Sequence, residues 1–200
     1  MKRLPLALLI VLLAVVGPAK AGIIPFYKPG TEVGIFSMRG TRETLFQTLA
    51  NVTLAEIGAV IDPFNSSSQF RWRIYNSDSN FTFASTIFDQ TVSFTDVGLT
   101  TYDTSVNVNL NASAYYILSL QALTPGNMQR FNESNQGLPF TTIDGVFKVI
   151  DGADNRNPAN TILPSFSVTS HTPEPSTFVL FGIGLLGLIS YSWRRQKRTA

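Results

Sequence analysis

Between residues 22 and 172 the apolar side chains recur with a period of two. In Phe70-Arg71-Trp72-Arg73-Ile74-Tyr75, residues Phe70, Trp72 and Ile74 fall on one face, and Arg71, Arg73 and Tyr75 on the other. Val106-Asn107-Val108-Asn109-Leu110, Phe81-Thr82-Phe83 and Thr91-Val92-Ser93-Phe94-Thr95 alternate in the same way. Successive strand side chains point to opposite faces, so this pattern predicts antiparallel strands with one wet face. Residues 114–120 are more continuously apolar and predict a central strand. Further strands are expected at residues 33–37, 52–61, 146–150 and 165–169. Turn-forming clusters separate them: Asp62-Pro63, residues 65–68, 76–80 and 124–127, and Asp144-Gly145. Residues 41–49 are the nearest approach to a helix. Residues 129–142 and 151–160 read as long loops, and past Thr169 the chain reads as a linker. Roughly ten short strands at this spacing predict an all-β fold, a single antiparallel two-sheet sandwich of jelly-roll-like type.

The two ends obey different rules. Met1-Lys2-Arg3 is basic, residues 4–17 are apolar, and Ala19-Lys20-Ala21 has small residues where signal peptidase cuts. Residues 1–21 therefore read as a signal peptide with its helix, leaving Gly22 as the first mature residue. At the other end, Pro173 and Pro175 fix φ and remove two backbone donors, so residues 171–176 form an extended linker. Residues 177–193 then carry no charge. As a helix they reach about 25 Å, the short end of what crosses a bilayer. Arg194, Arg195, Lys197 and Arg198 follow as a basic tail in residues 194–200, on the side that stays cytoplasmic. The domain between, residues 22–170, is exported in this reading.

Sorting charge by segment changes its meaning. The whole chain is at +2, with 15 basic and 13 acidic residues. Residues 22–172 keep eight basic against twelve acidic, so the body is acidic and offers nothing to grip phosphate. No nucleic-acid partner is expected. The chain has no cysteine, so the exported domain needs a core that holds without disulfides, and thiolate chemistry is excluded.

Chemistry-bearing residues are sparse. The only histidine, His171, lies beside the linker, which disfavours a Ser-His-Asp triad. Twelve acids leave room for a glycosidase pair, yet none sits in a distinctive pattern. No catalytic residue, cofactor or enzymatic activity is expected. Asp151-Gly152-Ala153-Asp154-Asn155-Arg156-Asn157 clusters side-chain oxygens; Asp151 and Asp154 are calcium candidates, and the same residues suit a plain turn. Arg71, Arg73 and Tyr75, on the outer face of their strand, are candidates for ligand contact, whereas Trp72 reads as core. Sequons at Asn51, Asn65, Asn80, Asn111 and Asn132 indicate a hydroxyl-rich surface.

Pro173-Glu174-Pro175, an apolar run with Gly182, Gly184 and Gly187, and an Arg-rich tail occur in that order. This arrangement resembles the PEP-CTERM sorting signal of Gram-negative bacteria. The resemblance implies an exosortase-like membrane protease as partner, transient single-pass anchoring in the membrane, and delivery to the cell surface or extracellular matrix. It also implies a structural or adhesive role in a setting rich in exopolysaccharide. A carbohydrate-binding module is the rival within binding functions, and a surface glycosidase the rival of another class.

Overall fold

The computed structural model describes residues 22–30, 32–63, 68–94, 98–132, 136–157 and 162–171. Residues Ala21–His171 form one compact unit. In chain order its strands are β1 (Ile24–Pro25), β2 (Glu32–Met38), β3 (Thr41–Thr48), β4 (Val52–Pro63), β5 (Ser68–Ser77), β6 (Thr86–Phe94) and β7 (Thr100–Leu110). They continue with β8 (Tyr115–Ala122), β9 (Gly126–Asn132), β10 (Phe140–Thr141), β11 (Phe147–Asp154), β12 (Ile162–Pro164) and β13 (Phe166–His171). The architecture is all-β with two sheets, and every pairing is antiparallel. One sheet has six strands in the order β10-β11-β3-β8-β5-β6. The other has seven, β1-β13-β4-β9-β12, with β2 on β9 and β7 on β4.

The alternation places the core as expected. Phe70, Trp72 and Ile74 of β5 are fully buried and pack toward the seven-stranded sheet, with Trp72 5.4 Å from the Phe166 ring. Phe26, Phe46 and Phe147 form a second aromatic knot between the sheets, with centroids 4.9–5.9 Å apart. Burying such rings stabilises by about 1.5–3 kcal/mol each, which a cysteine-free domain needs. Strand β8 lies inside the six-stranded sheet and is buried on both faces along most of its length, as its continuous apolar run predicts.

A fork in the seven-stranded sheet needs a polar plug. The chain over residues 162–171 pairs first with β9 and then with β4. At the crossing, buried Ser165 accepts a hydrogen bond from the Val60 N–H at 3.1 Å and donates to the Val60 carbonyl at 3.3 Å. Its hydroxyl replaces the strand partner that Val60 loses there.

Several expectations are corrected. Residues 41–49 are not helical: Thr41–Thr48 is strand β3, wedged between β11 and β8 and buried on both faces. Three β-branched threonines and two flanking strands outweigh a weak helical pattern. Phe81-Thr82-Phe83 is not a strand; Phe81 takes φ 64°, a left-handed conformation that ends any extended run. The loop expected over residues 129–142 begins as β9, whose ladder with β2, β4 and β12 overrides its polar composition, and it ends in β10. The loop expected from Asp151 begins four residues later, because β11 runs to Asp154 on β3. The turn clusters at Asp62-Pro63 and at Gly126-Asn127 are strand ends. The linker starts later than Thr169, since β13 continues through His171 opposite Thr53.

Both chain ends of the described domain lie at one end of the sandwich. Strand β1 runs antiparallel to β13, with Ile24 opposite Val168, so Gly22 and Ile23 extend toward the end where His171 meets Thr53. The β3–β4, β7–β8 and β10–β11 turns gather there too, tied by Ser113 N–H to the Thr48 carbonyl (2.8 Å) and Leu49 N–H to the Val146 carbonyl (2.7 Å).

Candidate functional site

The outer face of the six-stranded sheet carries a second, smaller cluster. Leu45 on β3, Ile117 on β8 and Tyr75 on β5 stand opposite one another in register, with Ala153 of β11 beside them. Water is kept off this face by the connection between β5 and β6, residues 78–85, which folds back over it. Phe81 is buried there, and Phe83 packs edge-on against Tyr75 at 5.1 Å. The base of the loop is closed by Asn76 N–H to the Ser85 carbonyl at 2.9 Å and Ala84 N–H to the Asn76 carbonyl at 3.0 Å. Asp78 Oδ1 accepts the N–H groups of Asn80 (2.8 Å) and Thr82 (3.2 Å), and these bonds to the charged form hold its carboxyl below the usual range. Phe81's left-handed backbone costs about 1–3 kcal/mol, which burial of its ring offsets.

A tight turn after β11 clamps the same loop from the other side. Asn155 and Arg156 both have positive φ, 53° and 62°. Asn155 Oδ1 accepts the Thr41 N–H at 2.9 Å and sits over Gly40, where a Cβ would lie 1.9 Å from that oxygen. The Arg156 guanidinium lies 4.8 Å from the Phe83 ring centroid, a cation–π contact.

Under this cover lies Glu43, fully buried on β3. Its Oε2 accepts the Arg156 N–H at 3.2 Å, and its Oε1 is 3.5 Å from the Ser119 hydroxyl. Removal from water disfavours the carboxylate, so burial pushes its pKa up. The polar row continues across the sheet: Glu43 faces Ser119, Ser119 faces Arg73, and Arg73 faces Asp89.

Of the three residues expected to contact a ligand, Arg73 lies in this row and Arg71 and Tyr75 flank it on β5, and all three are engaged with the protein. Arg71 makes a two-pronged pair with Asp89, Nε to Oδ1 at 2.6 Å and Nη2 to Oδ2 at 2.5 Å. That bond holds Asp89 low and Arg71 high. Arg73 donates to Gln121 Oε1 at 2.8 Å and to the Tyr75 hydroxyl at 3.2 Å. Tyr75 is on the predicted face yet only 6 % exposed, because residues 78–85 cover it. No alternation rule could reveal that cover. The signal in the sequence is the pair Phe81 and Phe83 inside a turn-rich stretch.

This region is built by Glu43, which no sequence pattern singles out, together with Phe83, expected in a strand, and Arg156, expected in a turn or calcium loop. Glu43 and Asp89, one carboxyl raised and one lowered, stand three strand spacings apart, about 14 Å. That exceeds the roughly 5–9.5 Å that acid and base or nucleophile need across a glycosidic bond.

Asp151 and Asp154 are not brought together. Asp151 pairs with Leu45 and Asp154 with Arg42, three residues apart on β3 and therefore on opposite faces. The Asp154 carboxylate forms an ion pair with buried Arg42, whose Nη1 also donates to the Thr41 carbonyl at 2.8 Å. Burial lowers the Arg42 pKa. Among the described residues no group of three or more His, Cys, Asp or Glu could hold a metal ion.

The remaining sequence candidates fall outside the described residues: Ala19 and Ala21, Pro173, Glu174 and Pro175, the apolar run 177–193, and Arg194, Arg195, Lys197 and Arg198. Among the described residues no helix is long and apolar enough to cross a membrane. Residues 171–196 match the PEP-CTERM protein-sorting motif. The chain thus carries that motif from His171, the final residue of β13, the last strand among the described residues. A search of curated proteins finds no match to the chain.

Proposed function

We propose that the chain is an exported β-sandwich, held at the membrane by residues 177–193 until an exosortase-like protease processes it near Pro173-Glu174-Pro175. The body is then passed to the cell surface or extracellular matrix, where its role is structural or adhesive. One observation carries this reading: the sorting motif spans residues 171–196, and the last strand of the compact unit ends at His171. A cut near Glu174 therefore falls behind a finished fold and leaves the β13–β4 ladder whole. Signal peptidase removes residues 1–21 in this account. The sandwich is read as jelly-roll-like because the chain changes sheet at most of its connections.

The structural role is preferred over sugar binding because Tyr75 is covered and Arg71 and Arg73 are taken up by Asp89 and Gln121. It is preferred over catalysis because the raised and lowered carboxyls of the outer face are too far apart to act on one bond.

The test is co-expression with an exosortase in a Gram-negative host, followed by fractionation and mass measurement. The released body is expected to end within a few residues of Glu174 and to leave the membrane fraction. Glu174→Ala is expected to keep the full-length chain in the membrane. Release of the Glu174→Ala chain at the same rate would contradict the reading. A glycan array probed with the released body separates the binding rival, and turnover of labelled oligosaccharide the enzymatic one.

A further inference from the structure

The end of the sandwich at which both chain ends emerge is unusually apolar for turns. Ile143, at the tip of the β10–β11 turn, is 97 % exposed. Leu49, in the β3–β4 turn, is 43 % exposed and hydrogen-bonded to Val146 beside it, while Ile23 is 63 % exposed. The turns 49–51, 111–114 and 142–146 contain a single charged residue, Asp144, and the β5–β6 connection, which also starts at this end beside Tyr115, adds Asp78. The Asp144 carboxylate is occupied within the turn by the Thr142 hydroxyl (2.5 Å) and the Val146 N–H (3.2 Å). A bare isoleucine at a turn tip is exposed at a cost that water does not repay, and turns ordinarily take polar residues there.

Chain length says what this end meets. Residues 172–176 separate His171 from the uncharged run that starts at Thr177. Six extended steps from His171 to Thr177 reach at most about 20 Å. Any bilayer that holds residues 177–193 therefore lies within that distance of His171, at the end of the sandwich that also carries the turns with Leu49 and Ile143. The absence of basic residues in those turns fits a zwitterionic interface and does not depend on anionic lipid.

We infer that this end of the sandwich rests on the membrane surface, with Ile143, Leu49 and Ile23 dipping into the headgroup region while the chain is still anchored. The inference rests on the proposed anchoring. It adds an orientation: the β3–β4 and β10–β11 turns face the lipid, and the opposite end, with Leu99 and Leu123, faces away. Release removes the tether, and three side chains are too few to keep the body bound.

The chain has no cysteine, so single labels can be placed cleanly. Full-length Ile143→Cys, Leu49→Cys, Leu123→Cys and Leu99→Cys, each carrying an environment-sensitive fluorophore, are reconstituted into phosphatidylcholine vesicles containing a shallow spin-labelled lipid. Labels at 143 and 49 are expected to shift to the blue and lose emission to a quencher at about 5–10 Å depth. Labels at 123 and 99 are expected to keep their aqueous spectrum. Flotation of the same samples reports anchoring separately. A chain that floats with position 143 unquenched, or quenched no more than 123 and 99, overturns this inference alone. A chain that does not float overturns the anchoring and this inference with it.

Discussion

The two apolar clusters of this domain are built by opposite means. Between the sheets, Trp72, Phe46, Phe70, Phe147 and Phe166 are supplied by alternating strands and are fully buried from both sides. On the outer face of the six-stranded sheet, Leu45, Ile117 and Tyr75 would stand in water but for the cover of residues 78–85, pinned by Asp78 and Arg156. The first cluster follows from strand geometry. The second depends on a loop, a strained Phe81 and a buried carboxyl. The lesson is that one sheet can be wet by its pattern and dry by its loop.

The largest expected effect sharpens the contrast. Trp72→Ala removes an entire ring between the sheets and is expected to cost about 3–5 kcal/mol in urea unfolding of the released body. Phe83→Ala is expected to cost roughly 1–3 kcal/mol, because it removes a half-buried ring and frees the loop without opening the main core. Hydrogen exchange should speed up at residues 78–85 in that variant while the β4–β13 ladder keeps its protection. Loss of protection across both sheets would mean that the two clusters are one.

Glu43 sharpens the comparison through pH. Its folded pKa is raised above the ordinary value near 4.5 by burial. The folded state therefore holds the proton where the unfolded state has lost it, so stability falls as pH rises from the ordinary value through the raised one. Glu43→Gln is expected to flatten that slope, gaining on the parent protein at neutral pH relative to acid. Parallel pH profiles for the two proteins in urea titrations would remove Glu43 from the account. The smallest effect belongs to the exposed Arg71–Asp89 pair: Arg71→Ala is expected to shift the urea midpoint least of these variants, and less still in high salt.

The same contrast marks what was legible in the sequence. Alternation located β5, β6 and β7 and put Trp72 in the core and Arg71 and Arg73 outside. A continuous apolar run located β8, and β2, β4, β11 and β13 lie where further strands are expected. Alternation failed at β3, because a strand enclosed by β11 and β8 and covered on its outer face can bury Arg42, Glu43 and Thr44 and so loses its period. It failed at β9, where ladder bonds rather than side chains fix the strand. Tyr75 was placed on the right face but assigned to solvent, since coverage by residues 78–85 is a long-range fact that no local window contains. Asp151 and Asp154 looked like one oxygen cluster by spacing, whereas a strand sends them to opposite faces. The sorting motif was legible because its signal is linear: order, proline and charge suffice, and no tertiary contact is required.

The central claim is that everything from Gly22 to His171 faces the outside. The most direct measurement fuses a reporter active only outside the cytoplasm, and separately one active only inside, after Ser176, where β13 is left whole. Activity of the first and silence of the second in a Gram-negative host is the expected result. An active cytoplasmic reporter beside a silent exported one would contradict the account.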